Sequence, residues 1–87
     1  MFEYDLTPLA QDNLDHAVRR NPELAEKIIR KIEWLAKNAE IVAHQRLKGS
    51  RYHSLHSSSY RIVYALDAAQ RRVLILGIGQ HDATYRR

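Results

Sequence analysis

The 87-residue chain is 45% hydrophobic and 28% charged, with Gly 3 and Pro 2, an ordinary globular composition that excludes collagen-like, low-complexity and disordered chains and leaves room for one domain, residues 1–87. Cysteine is absent and apolar runs are short, which excludes a disulfide framework, a thiolate zinc site and a membrane span; with Met1-Phe2-Glu3-Tyr4-Asp5 lacking the order of an export signal, the expected location is the cytoplasm. The net charge of +4 is uneven: residues 1–43 hold six Lys/Arg against eight Asp/Glu, and residues 44–87 hold eight Lys/Arg against two Asp.

In chain order, Phe2-Glu3-Tyr4-Asp5-Leu6 alternates large apolar with acidic residues, the period of a half-buried strand. Thr7-Pro8 reads as a helix cap followed by proline at the first helical position, where its missing N–H costs nothing. Ala10, Leu14, Ala17 and Val18 then place a short amphipathic helix up to about Arg20. Asn21-Pro22 repeats the cap, and Leu24, Ala25, Ile28, Ile29, Ile32, Leu35 and Ala36 form a second, stronger apolar stripe. The connection is so short that the two helices form a hairpin. Beyond Lys37 to Gly49, which carries no clear period, the pattern turns to strands. Arg51 to His56, Tyr60 to Leu66 and Val73 to Ile78 are joined by Ser57-Ser58-Ser59 and by the polar run Asp67 to Arg72. The expected fold is α+β in the order β-α-α-β-β-β, an antiparallel sheet packed on one face by a helical hairpin.

Most known chemical motifs are missing. Gly77-Ile78-Gly79 ends a strand with no following helix, so it is not a phosphate loop. His53 and His56 are three apart on a strand and point to opposite faces, with no carboxylate cluster nearby, so neither a metal site nor a cofactor is expected. Ser57 to Ser59 read as turn formers rather than as part of a triad with His81 and Asp82. The basic half, which also holds His44, His53, His56 and His81, points instead to a polyanion. A meander makes neighbours of the strands carrying His56, Arg61 and Ile78, beside which the tail Gln80 to Arg87 emerges. Imidazole, guanidinium and phenol gathered there suit RNA cleavage by its own 2′-hydroxyl: a base takes the 2′ proton, a cation stabilises the crowded phosphate, and an acid protonates the 5′ oxygen.

The runs Arg46-Leu47-Lys48-Gly49, Ser59-Tyr60-Arg61-Ile62-Val63-Tyr64 and Gly79-Gln80-His81-Asp82-Ala83-Thr84-Tyr85-Arg86 resemble the L-K-G, Y-R-[IL]-[IV]-Y and closing G-[HK]-R-x-x-x-Y patterns of RelE/ParE-superfamily toxins of bacterial type II toxin–antitoxin systems. The resemblance covers essentially the whole chain. It implies a ribosome-dependent mRNA endonuclease acting in the ribosomal A site, or alternatively a ParE-like toxin that binds and inhibits DNA gyrase without nuclease activity. It further implies a cognate antitoxin that wraps the basic face. By the same resemblance Arg61 contacts the scissile phosphate, His81 transfers protons as in the YafQ- and YoeB-like branches, and Tyr85 holds the base or shares the acid–base role. Lys48, Arg51, His53, His56 and Arg86 line the RNA path. His81 departs from the arginine of many relatives, and its imidazole, with an ordinary pKa of about 6.5, suits proton transfer near neutrality. A DNA-binding role is disfavoured because no helix-turn-helix is present and the clear helices lie in the acidic half.

Overall fold

Thr7 and Asn21 start the two helices as their sequence context predicts. In the computed structural model, which describes residues 2–45, 52–57 and 60–80, the elements run β1 (Glu3–Leu6), α1 (Pro8–Arg20), α2 (Pro22–Gln45), β2 (Tyr52–Ser57), β3 (Tyr60–Asp67) and β4 (Arg72–Gln80). The Thr7 hydroxyl accepts the Ala10 N–H at 3.2 Å and Asn21 Oδ1 accepts the Leu24 N–H at 3.2 Å, so each cap satisfies a donor that has no partner within its helix. The second helix continues past the apolar stripe to Gln45, adding Ala39, which is fully buried. Weak periodicity beyond Lys37 hid this last part, because of its described side chains only that of Ala39 is buried while Ile41 is exposed.

The sheet order is β1-β4-β3-β2. β2, β3 and β4 form the expected antiparallel meander, with Ser57 opposite Tyr60 and Asp67 opposite Arg72. β1 departs from the expectation of a wholly antiparallel sheet. It pairs parallel with β4, from Glu3 opposite Arg72 to Leu6 opposite Ile75, so the sheet is mixed. Alternation along a strand tells which face is buried and carries no information on direction; the pairing sense is set by where the helical hairpin returns the chain.

The stripe of α2 supplies Ala25, Ile28, Ile32, Leu35, Ala36 and Ala39 to the core, and the sheet supplies Tyr60, Ile62, Tyr64, Val73, Ile75 and Ile78. Phe2 is buried too and ties β1 to α2 through its N–H, which donates to the Ala36 carbonyl at 3.1 Å. Val18, by contrast, is 47% exposed. It lies beyond the edge of the α1 stripe that Ala10 and Leu14 define, and it does not reach the sheet.

A register shift between Val63 and Tyr64 marks a bulge in the β3–β4 ladder, where Leu76 is the unpaired extra residue of β4. The other side of β4 loses its partner at the same point, because β1 ends at Leu6. Three groups replace the missing ladder. The Thr7 N–H donates to the Ile75 carbonyl at 3.0 Å, the Thr7 hydroxyl donates to the Leu76 carbonyl at 3.0 Å, and the Ile78 N–H donates to Asn13 Oδ1 at 2.9 Å. Helix α1 thus finishes the edge that β1 leaves open.

Loss of the Asn13 side chain leaves the part-buried Ile78 N–H without this acceptor, a cost of about 1–3 kcal/mol. Asn13→Ala should lower unfolding stability by about that amount in urea denaturation, and Ile32→Ala, at a site 1% exposed, should lower it by about 2–5 kcal/mol. Val18→Ala should change it by less than about 0.5 kcal/mol.

Candidate functional site

Alternation along β3 divides its side chains between two faces. Tyr60, Ile62 and Tyr64 point into the core, while Arg61, Val63 and Ala65 point away from the helices. β2 alternates in step: His53 and Leu55 face the helices, and Tyr52, Ser54 and His56 face outward. The helix-free face of the sheet therefore carries His56 directly opposite Arg61 in the register.

The two side chains meet. Arg61 Nε donates to His56 Nε2 at 3.0 Å. An imidazole nitrogen accepts a hydrogen bond only when it bears no proton, so this geometry belongs to neutral His56 with its hydrogen on Nδ1. The contact places the guanidinium beside the ring near the β2–β3 hairpin. A guanidinium carries its N–H donors in a planar fork whose geometry matches phosphate oxygens.

His53 is not part of this arrangement. Its ring is half-buried on the opposite face and packs against Tyr64, with centroids 5.4 Å apart and planes tilted by 43°. Of the residues expected to contact RNA or perform chemistry, the structure brings together Arg61 and His56 and separates His53. Lys48, Arg51, His81, Tyr85 and Arg86 lie outside the described residues.

Farther along the same outer face the sheet forms an open concavity of about 680 Å³, floored by Tyr52, Ala65, Leu74 and Leu76. Tyr52 is 57% exposed and Leu74 39% exposed, an apolar area that the near-continuous apolar runs of the strands disguise in the sequence as ordinary core. Arg72 stands at its rim and is held by carboxylates of β1: it bonds Asp5 and lies 3.6 Å from Glu3. The charge of Arg72 is thereby balanced locally at the β1 end, whereas Arg61 meets the imidazole of His56. Among the described residues no three His, Asp or Glu side chains come together as metal ligands, and no helix is long and apolar enough to cross a membrane.

Residues 4–85 match the sequence profile of the ParE toxin of the type II toxin–antitoxin system parDE. The chain belongs to this family. It is the toxin component of a type II toxin–antitoxin system, of the RelE/ParE superfamily. The fold of this toxin is shared with solved structures. The YoeB/ParE toxin from Agrobacterium tumefaciens is similar at 21% identity with a TM-score of 0.73, over 92% of this chain and 99% of that one. A chain of the RelBE2 toxin–antitoxin complex from Mycobacterium tuberculosis is similar at 18% identity and TM-score 0.72, over 92% and 98%. A chain of the YoeB–YefM complex from Staphylococcus aureus is similar at 18% identity and TM-score 0.68, over 93% and 98%. Comparison with curated protein sequences gives no significant match.

The Arg61 contact favours the Nδ1–H tautomer of His56 in the toxin. Long-range proton–nitrogen NMR correlations should show the Nδ1–H form of His56 predominating, whereas Arg61→Ala should return the ring toward the Nε2–H form that imidazole ordinarily prefers. An unchanged tautomer in Arg61→Ala would show that the guanidinium does not hold the ring.

Proposed function

We propose that the toxin is an endoribonuclease that cleaves mRNA on the ribosome by attack of the RNA 2′-hydroxyl, without a metal, and thereby blocks translation. The observation that carries this reading is the Arg61–His56 hydrogen bond on the open face of the sheet. It joins a phosphate-binding cation to an imidazole whose acceptor nitrogen is unprotonated. In the resting toxin that lone pair is occupied by the Arg61 Nε–H. When a phosphodiester arrives, its two non-bridging oxygens are better acceptors for a guanidinium than a neutral imidazole is. Arg61 turns to the phosphate, and Nε2 of His56 becomes available to the 2′-hydroxyl.

His56 takes the 2′ proton while the 2′ oxygen forms a bond to phosphorus. Arg61 neutralises the charge that builds on the non-bridging oxygens, where a preorganised donor is worth most. The bond to the 5′ oxygen breaks, and that oxygen receives a proton, leaving a 2′,3′-cyclic phosphate and a 5′-hydroxyl. In this reading His81 supplies the proton and Tyr85 stacks on the base or shares in the transfer. Lys48, Arg51 and Arg86 hold the backbone electrostatically, and His53 supports Tyr64 instead of touching RNA. His56 thus moves from the RNA path into the chemistry.

The family to which the chain belongs favours a second reading: a ParE-like toxin that binds DNA gyrase and performs no catalysis. In that case the outer concavity with Tyr52 and Leu74 is a protein-binding surface and the Arg61–His56 pair is a structural contact. Either toxin requires restraint, and several structurally similar chains are recorded with an antitoxin, such as YoeB with YefM. A cognate antitoxin that covers the basic outer face is the expected partner here as well.

Primer extension on an mRNA translated in a purified system separates the two. Discrete cuts should appear with the wild-type toxin, fall by about 10²–10³-fold in Arg61→Ala and by about 10²–10⁴-fold in His56→Ala. Normal translation with no cuts, together with inhibited gyrase supercoiling, would overturn the nuclease reading.

A further inference from the structure

The exposed side of α2 borders two hollows with different linings. Along one edge, Glu33 and Lys37 line a mixed hollow with Phe2, Glu3 and Tyr4, and Glu40 lies 3.7 Å from Arg71. Along the other edge Lys27, Lys31 and Trp34 succeed one another at helical spacing of four and three residues, on one stripe. With Arg30 and Tyr60 they line a shallow hollow of about 260 Å³ that contains no carboxylate among its described lining residues. Arg30 is engaged with Glu26 at 3.0 Å in an exposed pair, and Lys27 and Lys31 face the hollow.

Trp34 is 44% exposed, although its neighbours Ile32 and Leu35 are buried in the core. The ammonium of Lys31 lies over its ring, 5.1 Å from the centroid. An indole held at the surface beside two ammoniums is the combination that grips single-stranded nucleic acid: cations track the backbone, and the aromatic face stacks on a base of any identity. A stacked base offers the ring a larger contact than an exposed lysine does, and the displaced Lys31 ammonium is then well placed for the adjoining phosphate.

Position ties this hollow to the site. Tyr60 lines it, and Arg61 is the next residue of β3, its side chain on the opposite face. The hollow and the Arg61–His56 pair therefore lie on the two sides of one strand end. A strand passing around that end meets both.

We propose that the Lys27–Lys31–Trp34 edge of α2 is a second contact for single-stranded RNA, outside the cleavage site, in which the two ammoniums hold backbone phosphates and Trp34 stacks on a base. This rests on the endoribonuclease reading and adds the surface that holds RNA flanking the cut.

The chain contains a single tryptophan, so its emission reports this surface alone. The probe is a 2′-O-methylated RNA 12-mer with a fluorescent end label, which the toxin binds without being able to cleave. Titration should quench Trp34 saturably at the same concentration at which label anisotropy rises. Lys27→Gln/Lys31→Gln should weaken binding about tenfold and reduce the slope of log affinity against log salt by about 1.4, the value for two phosphate contacts on a single strand. Trp34→Leu should weaken binding and leave the slope unchanged. Anisotropy that rises while Trp34 emission stays constant and the double variant keeps its slope would overturn the inference and leave the nuclease reading intact. A DNA duplex that quenches Trp34 as strongly as the single strand would overturn the stacking assignment. No binding of the 12-mer together with no mRNA cutting would remove both readings, whereas cutting without any Trp34 response would remove this one only.

Discussion

The structure depends on what β3 does with its two faces. This strand lies inside the sheet between β2 and β4, and its alternate residues Tyr60, Ile62 and Tyr64 are almost completely buried under the helical hairpin. That burial fixes the register, because a slip by one residue would turn two tyrosines and an isoleucine out to solvent and bring Arg61 into the core. Arg61 is thus held on the outer face by the packing of its neighbours. The tight β2–β3 hairpin, with Ser57 opposite Tyr60, then leaves His56 opposite Arg61. The core and the candidate site are two consequences of the same register.

Such a register requires a firm neighbour on each side. β4 supplies one, and its own weak point is the bulge at Leu76, where the ladder to β3 shifts just after β1 has ended. A single hydroxyl meets this need twice over: Thr7 caps α1 by accepting from Ala10 and closes the β4 edge by donating to Leu76. Asn13 completes the edge from the next turns of α1. Helix α1 thus covers the core only partly through apolar side chains, and its polar residues do much of the joining. This explains how a helix with one fully buried side chain, Ala10, still belongs firmly to the fold.

Much of this is legible in the sequence. The Thr7-Pro8 and Asn21-Pro22 caps, the α2 stripe and the three strands of the meander follow from spacing, turn residues and apolar pattern. Local pattern says less about relations between distant segments. The parallel entry of β1 beside β4 depends on the path of the helical hairpin, and the length of α2 beyond Lys37 depends on Ala39 meeting the core rather than on any strong period. The same limit applies to the site. The opposition of His53 and His56 across the sheet is readable from a spacing of three on a strand. Their separate fates are not: one ring packs on Tyr64 and the other accepts a hydrogen bond from Arg61. The hairpin length contained the signal for that contact, since a two-residue connection between Ser57 and Tyr60 makes His56 and Arg61 partners.

In the proposed reaction His56 and Arg61 direct the 2′-hydroxyl of RNA onto its own phosphate. Replacing the 2′-hydroxyl by hydrogen at a mapped cleavage position in a ribosome-bound mRNA removes the nucleophile and leaves the phosphate, the bases and every electrostatic contact in place. Cutting should stop at that position, and the unmodified message should yield a 2′,3′-cyclic phosphate and a 5′-hydroxyl in the presence of EDTA. Cutting that persists at the deoxy position would mean that water or a metal-bound hydroxide attacks instead, and would contradict the proposed reaction.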